Sequence, residues 1–402
     1  MASTAANPVT RSASVEAHLP RVVVGVTHPQ TCLTLTGRLR ALREAGFEVT
    51  LLCSPGELAD GLAAAEGVRR VIIPMERGIA PLADLVSLIR LWRSLRRLRP
   101  ALVEFSTPKA GLLGSLAARM LGIPVRIYVL RGLKLETSTG LKHRMLLSAE
   151  RTAAACAHLV LCNSESLRTE ARALGIAPRD RLHLLGEGSS NGVDTVRFHP
   201  GENAVRVQLG IAASHQVIGF VGRLTRDKGL PELVEAFDAI LKEHPSAWLL
   251  LVGFFDAAED ALDPDLRRRI EAHPRIKLTG FVADTAPYYR AMDLLVLPTW
   301  REGFPNVVLE AGASGIPVVT TLSTGSRDAV VPEVTGLLIP PGYPQAIREA
   351  VLKLLGDPER RRRMGLAARE WVTNHFMKDR VLGLTTALYK RLLAESSEGN
   401  EY

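Results

Sequence analysis

The sequence predicts an α/β protein made of two parallel-sheet domains in tandem, facing each other across a cleft. Three observations carry this. Short apolar, β-branched runs alternate with longer amphipathic segments along nearly the whole chain, which is the pattern of strand–helix–strand units with parallel strands. The alternation pauses at Asn191–Pro200 (NGVDTVRFHP), a stretch with turn residues at both ends and no periodicity, and then restarts. The length of 402 residues, 47% of them hydrophobic and 23% charged, suffices for two cores in an ordinary globular protein.

Taken in order, the first half offers strands at Arg21–Val26, Phe47–Cys53, Val71–Pro74, Leu102–Phe105, Val125–Val129, His158–Cys162 and Arg181–Leu185. Helical patterns fill the gaps, as at Leu33–Ala45, Leu82–Leu98, Ala110–Leu121 and Lys142–Ala155. The second half offers strands at Gln216–Val221, Ala247–Val252, Ile276–Leu278, Leu294–Leu297, Pro317–Thr320 and Gly336–Ile339. Its helices are expected at Pro231–Lys242, Ala283–Ala291, Val307–Ser314, Pro344–Leu355 and Pro358–His375, with a last amphipathic one near Lys378–Leu393. The expected division is a disordered lead-in at 1–19, an N-terminal domain at 20–190 to which a C-terminal helix at 378–395 is added, a linker at 191–200 and a C-terminal domain at 201–377. No sequence repeat joins the halves; they share architecture only.

Net charge is +8, and its distribution is uneven. Residues 1–200 hold 26 Lys and Arg against 16 Asp and Glu, whereas residues 201–402 hold 24 against 26. The basic first half is therefore the part suited to an anionic partner. Cys32, Cys53, Cys156 and Cys162 have no metal-type spacing and read as buried thiols in a reducing compartment. The first 19 residues lack the apolar segment of a secretory signal. No apolar run approaches the ~20 residues a spanning helix needs. The expectation is a cytoplasmic protein, soluble or peripheral at the inner face of the plasma membrane.

Three segments carry chemistry. In Arg301–Val319 (REGFPNVVLEAGASGIPVV), Glu302 and Glu310 stand eight positions apart, around a loop that opens a helix. A helix N-terminus offers unpaired N–H groups and a positive dipole end to an anion, and carboxylates accept hydrogen bonds from sugar hydroxyls. A sugar nucleotide presents both kinds of group. In Gly219–Gly229 (GFVGRLTRDKG) a strand ends, Gly222 permits a tight turn, and Arg223 and Lys228 follow as cations for a leaving diphosphate. The plain reading of that segment is a solvated loop with surface cations, and Arg226 and Asp227 are taken as surface residues. In Leu278–Asp284 (LTGFVAD), Phe281 and Val282 would offer backbone groups to a base edge; otherwise this is a strand-to-helix turn with Asp284 as its cap.

GRLTRDKG, GFV and EGFPNVVLEAGASGIPVV stand here in the order and spacing of the large retaining glycosyltransferase family numbered four, which the chain resembles over roughly residues 20–395. TPKAGLLG (Thr107–Gly114), RGLKLE (Arg131–Glu136) and GSSNGVD (Gly188–Asp194) resemble bacterial members that build lipid-linked or capsular saccharides. The resemblance implies the GT-B architecture, two Rossmann-like domains with a C-terminal helix crossing back to the first. It implies that Arg223 and Lys228 hold the donor diphosphate, Glu302 meets the transferred sugar, and Glu310 binds the ribose. Gly222 and the segment Gly303, Phe304, Pro305, Asn306, Val307 and Val308 would complete the donor site. It further implies a nucleotide-diphospho-sugar donor as substrate, no cofactor, no essential metal, and retention of anomeric configuration. Retention follows from attack on the face the leaving group departs, or by the older two-carboxylate double displacement. One departure is plain. Many members carry a His after an N-domain strand, facing the donor sugar, but here IYVLRGLKLE has Arg131 and Gly132, and His143 lies further on, within an expected helix. Either Arg131 takes that electrostatic role or none is needed.

Weaker signals have plainer alternatives. Asp263–Pro264–Asp265 matches the DxD pattern of metal-dependent transferases of another fold, but it opens a helix, where Asp and Pro belong as cap and first-turn residues. GEGSSNG (Gly186–Gly192) lacks the spacing of a dinucleotide loop and reads as a hinge, with Ser189, Ser190 and Asn191 beside the cleft. His28 and Lys109 lie where an acceptor would enter, and Lys109 reads equally as a surface lysine. Ser87–Arg99 (SLIRLWRSLRRLR) is a basic amphipathic helix that fits either a membrane interface or an ordinary packed face. No aromatic–basic platform for nucleic acid appears. The expected function is transfer of a hexose or N-acetylhexosamine from a nucleotide sugar, UDP-linked in the first instance, to a saccharide acceptor, lipid-linked in the favoured case. A soluble small-molecule acceptor, a sugar-nucleotide epimerase and a catalytically silent sugar-nucleotide binder are the alternatives.

Overall fold

The computed structural model describes residues 19–398 apart from positions 77, 79, 190, 203 and 257–259. Two all-parallel sheets follow one another along the chain. The first contains β1 (Arg21–Gly25), β2 (Glu48–Cys53), β3 (Arg69–Ile72), β4 (Leu102–Ser106), β5 (Val125–Leu130), β6 (Leu159–Cys162) and β7 (Leu182–Leu184). The second contains β8 (Val217–Val221), β9 (Trp248–Val252), β10 (Ile276–Leu278), β11 (Leu294–Leu297), β12 (Val318–Thr321) and β13 (Gly336–Ile339). Their orders are 3-2-1-4-5-6-7 and 10-9-8-11-12-13. Each sheet starts at its centre, winds outward, and then reverses, so each has a switch point, between β1 and β4 and between β8 and β11. Crevices at such points, beyond the carboxyl ends of the strands, are where open α/β sheets bind ligands.

All thirteen expected strands form, within one residue of the expected bounds except at β3, which begins and ends two residues earlier than the pattern indicates. The reason is burial on both faces: β4, β5, β8 and β9 have no exposed residue, so each reads as an unbroken apolar run. The expected helix Leu33–Ala45 is instead a 3-10 turn at Pro29–Leu35 and a separate helix at Arg38–Glu44. Gly37 between them is left-handed (φ 80°), which ends one helix and starts another. The Asp263 side chain accepts the Asp265 N–H at 2.8 Å with Pro264 in the first turn, so the DxD residues serve as a helix cap.

Two features bring the domains together. Helix Lys378–Glu398 crosses back to the first domain, where Leu388 and Tyr389 complete the core under β1, β4 and β5. The 191–200 connection is pinned against the start of this helix: Val193 bridges Met377, and the Asp194 side chain accepts the N–H groups of Val196 and Arg197 at 3.0 Å. At the cleft itself, a Cβ on Gly132 would sit 3.1 Å from the Gly303 nitrogen, and one on Gly303 would overlap the Arg131 carbonyl. The Ser166 N–H donates to Asp328 Oδ2 at 3.0 Å, and Ser166 Oγ accepts the Gly325 N–H at 2.8 Å. Among the described residues no helix is long and apolar enough to cross a membrane. All four cysteines are buried free thiols.

Gly229, which starts the helix Leu230–Glu243, is left-handed (φ 73°), and a Cβ there would overlap the Pro298 carbonyl. Gly229→Ala therefore combines backbone strain with overpacking. It is expected to lower stability by about 2–4 kcal/mol, read from the midpoint of chemical unfolding.

Candidate active site

The loops that leave β8 and β11 face each other because these strands flank the switch point. The first carries Gly222 through Lys228, the second Pro298 through Pro305, after which the helix Asn306–Ala313 begins. Gly222 takes φ 147°, letting the chain turn sharply off β8, and a Cβ on Gly253 at the end of β9 would collide with the Gly222 carbonyl. Lys228, at the end of this loop, reaches the second loop. Lys228 Nζ stands 2.5 Å from Glu302 Oε1, both side chains being mostly buried. Arg223 is more open; its Nη1 donates to Asp256 Oδ2 at 3.1 Å, and its Nη2 lies 3.7 Å from Asp227 Oδ2.

Asp227 corrects the sequence reading. It is buried (5% exposed), not a surface residue, and it is the hub of the cation cluster. Its Oδ1 accepts the Thr225 hydroxyl at 2.6 Å, its Oδ2 faces Arg301 at 3.2 Å, and its carbonyl accepts the Trp300 N–H at 2.9 Å. Burial pushes its carboxyl up, but Lys228, the Thr225 hydroxyl, Arg301 and Arg223 together outweigh this and hold it below the usual carboxylate range. Arg226, beside it, is exposed as expected. Arg301 also reaches Asp260 Oδ2 at 3.4 Å, and its Nε donates to Thr137 Oγ1 of the first domain at 3.0 Å. Lys134, from the same first-domain turn, has its pKa drawn down by burial against the pull of Asp260. Asp256, Asp260, Arg301 and Lys134 went unnoticed in the sequence, since their partners are remote in it.

Glu310 lies one turn into the Asn306–Ala313 helix and accepts the Tyr289 hydroxyl at 2.7 Å. Burial raises its pKa, opposed by Tyr289 and Arg197. Arg197 is itself paired with Asp284 at 2.8 Å, and Asp284 also accepts the Ala286 N–H, the capping contact. Phe281 is exposed, its ring edge-on to Phe254, and Val282 is half-buried beside it. Phe304, Pro305 and Val308 are buried; Phe304 packs on Phe376 and covers Gly188 of the first domain. Gly303, Asn306 and Val307 line the same turn, and Asn306 Oδ1 is buried with no partner among the described residues.

On the opposite wall, the His28 side chain caps its own turn by accepting the Gln30 N–H at 3.3 Å. Lys109 is tied to Asp84 at 2.6 Å and to the Gly78 carbonyl, so its charge is already matched. Ser189 is buried and left-handed (φ 73°), and its Oγ accepts the Gly192 N–H at 3.1 Å. Asn191 donates to the Thr36 carbonyl at 2.8 Å. Ser190 lies outside the described residues. Arg131 follows β5 directly, with its Nε and Nη2 buried and unpartnered among the described residues. Among the described residues no three His, Cys, Asp or Glu side chains gather as a metal site.

Two doubly wound sheets clasping a cation–carboxylate cluster in the cleft between them define a GT-B transferase. The chain belongs to the group 1 glycosyltransferases: the family profile "Glycosyl transferases group 1" matches residues 215–357 and "Glycosyl transferase 4-like domain" matches 34–188. It is 34% identical over 372 residues to the capsular polysaccharide biosynthesis glycosyltransferase CapM of Staphylococcus aureus, covering 92% of this chain and 97% of the relative. It is 27% identical over 332 residues to the UDP-Gal:alpha-D-GlcNAc-diphosphoundecaprenol alpha-1,3-galactosyltransferase of Escherichia coli, covering 79% and 84%. The fold matches a sucrose-phosphate synthase from Thermosynechococcus elongatus with a TM-score of 0.78 at 22% identity, over 94% of this chain and all of that one.

Because Asp227 has a folded pKa below its unfolded value, its stabilisation is present above about pH 3.9 and disappears as the pH falls through the lower folded pKa. Asp227→Asn is expected to cost about 1–3 kcal/mol at neutral pH, because Arg301 and Arg223 lose one carboxylate but keep Asp260 and Asp256. The gap to wild type should close in acid, as followed by thermal unfolding across a pH series.

Proposed function

We propose that this glycosyltransferase moves a hexose or N-acetylhexosamine from a UDP-sugar to a saccharide borne on a membrane lipid diphosphate, with retention at the anomeric carbon. The observation that carries the reading is the Lys228–Glu302 pair at 2.5 Å, with Arg223 beside it and the N-terminus of the Asn306–Ala313 helix behind it. Cations and helix N–H groups match a diphosphate, and the carboxylate matches sugar hydroxyls. Glu310, one turn deeper and set by Tyr289, suits the ribose. The UDP-linked donor and the lipid diphosphate acceptor are also the terms in the name of the Escherichia coli relative, and the capsular saccharide is in that of CapM.

In this reading Arg223 and Lys228 take up the negative charge that grows on the diphosphate as the bond from C1 to its oxygen lengthens. The acceptor hydroxyl enters from the same face. Its oxygen bonds to C1 as the phosphate–C1 bond breaks, and its proton passes to the departing phosphate oxygen. The two side-chain cations supply the charge neutralisation, so the mechanism asks for no metal. Glu302 holds the sugar hydroxyls while its pairing with Lys228 ties sugar and phosphate subsites together.

The acceptor's membrane home fits the first domain. Helix Pro81–Leu98 buries Leu91, Leu95 and Leu98 but exposes Leu82, Leu85, Val86 and Ile89, the first of them 83%. Arg90, Arg93, Arg96 and Arg97 are exposed further along the same helix. An apolar patch beside a basic one suits an anionic bilayer surface.

Glu302→Ala is expected to abolish transfer while UDP binding persists; wild-type turnover in this variant would remove its role. Arg223→Ala and Lys228→Ala should each cost about 3–4 kcal/mol of transition-state stabilisation in kcat/KM, measured with a panel of UDP- and GDP-sugars against a membrane lipid extract. Vesicle sedimentation should show binding to anionic but not neutral bilayers, weakened by added salt, and lost when Leu85 and Ile89 are both made Asp. Failure to sediment with either vesicle type would discard the membrane contact, and equal sedimentation with both would discard the role of the arginines.

A further inference from the structure

One face of the first sheet changes character along its strands. Leu102 on β4 and Val125, Ile127 and Val129 on β5 belong to the apolar core beneath Leu388 and Tyr389. Toward the carboxyl end, Glu104 and Ser106 continue that face on β4, and Arg131 continues the two-residue period of β5. Glu104 is fully buried, ion-paired with Arg38, and hydrogen-bonded by the Tyr389 hydroxyl; Arg38 Nη2 also donates to Tyr389 Oη at 3.3 Å.

The charges there do not balance. Two guanidiniums, Arg38 and Arg131, lie within the field of one carboxylate, Glu104, which is bonded to Arg38. Burial, then the charge of Arg38, draws the Arg131 pKa down to about 10, against the opposing pull of Glu104 and Tyr389, so Arg131 is still a cation at neutral pH. Its Nε and Nη2, which form one edge of the guanidinium, are both buried without a partner among the described residues. Arg38 Nε, Ser106 Oγ and Asn191 Oδ1 are likewise without partners among the described residues. Buried donors without acceptors are rare in native proteins, and a buried charge without a counter-ion is costly. The paired edge of a guanidinium matches two oxygens of one phosphate. A Cβ on Gly303 would meet the Arg131 carbonyl, and Gly132 lies against Glu302 and Gly303, so the Arg131 main chain stands beside the wall read above as the sugar subsite.

We propose that Arg131, seated by Glu104, Arg38 and Tyr389, is a phosphate-binding group of the first domain, whose Nε and Nη2 hydrogens are taken by two oxygens of a ligand diphosphate. The proposal rests on the glycosyl-transfer reading. That ligand is the donor or the lipid-linked acceptor, since both carry the same chemistry. Arg131 is the contact; Glu104, Arg38 and Tyr389 are positioning residues. Tyr389 enters from the crossing helix, so the docking of that helix sets the aim of Arg131.

Wild type, Arg131→Gln, Arg131→Lys and Tyr389→Phe are titrated calorimetrically with UDP and, separately, with inorganic diphosphate. Acceptor KM and thermal unfolding without added nucleotide are measured alongside. Binding of UDP by the wild type checks the glycosyl-transfer reading on its own; the variants check Arg131. Arg131→Gln is expected to bind at least one of these ligands tenfold or more weakly while unfolding no earlier than wild type, because it removes an unmatched buried charge. Arg131→Lys, which keeps the charge and loses the fork, should recover only part. Tyr389→Phe should weaken the same ligand to a smaller degree. Loss of UDP affinity assigns the donor diphosphate; a tenfold rise in acceptor KM with UDP affinity intact assigns the acceptor. Wild-type affinity of Arg131→Gln for UDP, inorganic diphosphate and acceptor alike overturns the proposal.

Discussion

The backbone approach of Gly132 to Gly303 sets the terms for everything in the cleft. Neither position leaves room for a Cβ without displacing the other domain's main chain. Because Gly303 follows Glu302 directly, the contact brings the carboxylate to the domain boundary and closes the lower end of the site. Gly325 repeats the device from a third loop: a Cβ there would lie 2.6 Å from the Gly303 carbonyl. The Ser166–Asp328 hydrogen bonds then lock the same level of the cleft from the other side. Small residues here purchase proximity, and proximity lets a first-domain turn bearing Lys134 and Thr137 reach the cations of the second.

Around that contact the electrostatics are organised as matched pairs. Lys228 faces Glu302, Arg223 faces Asp256, and Arg301 is shared between Asp227 and Asp260. Asp227 binds the set together because it is buried and touches two of the arginines while neighbouring Lys228 in the chain. A cluster held this way keeps its cations oriented in a partly dry cleft, where reorganisation during charge transfer would otherwise slow the reaction. The first domain differs: its buried Arg38, Arg131 and Glu104 leave one positive charge over.

Much of the architecture was readable because parallel strands buried on both faces announce themselves as apolar runs. The loops bearing Arg223, Lys228, Glu302 and Glu310 were readable because their residue types and spacing recur as motifs. What failed was anything decided by distant partners. Asp227 sits in RDKG, which locally reads as a wet turn; its burial comes from Arg301 and Trp300, over seventy residues on. Glu104 lies in an otherwise apolar strand, and its partner Tyr389 is 285 positions away. The break at Gly37 was missed because the apolar period runs through it, and only the left-handed backbone separates the two turns. Lys109 reads as an acceptor-side or surface lysine, but Asp84, on the neighbouring helix, holds it.

The crossing helix has a consequence for the order in which the molecule is assembled. Domains are usually completed in the order they leave the ribosome. Here the Arg38–Glu104 pair acquires its hydroxyl partner only when Tyr389 arrives, and Leu388 fills the same core. The domain that is synthesised first is thus sealed last. Until then its ionic centre lies under an open face, and the nascent chain must carry a half-covered sheet past the whole of the second domain's synthesis.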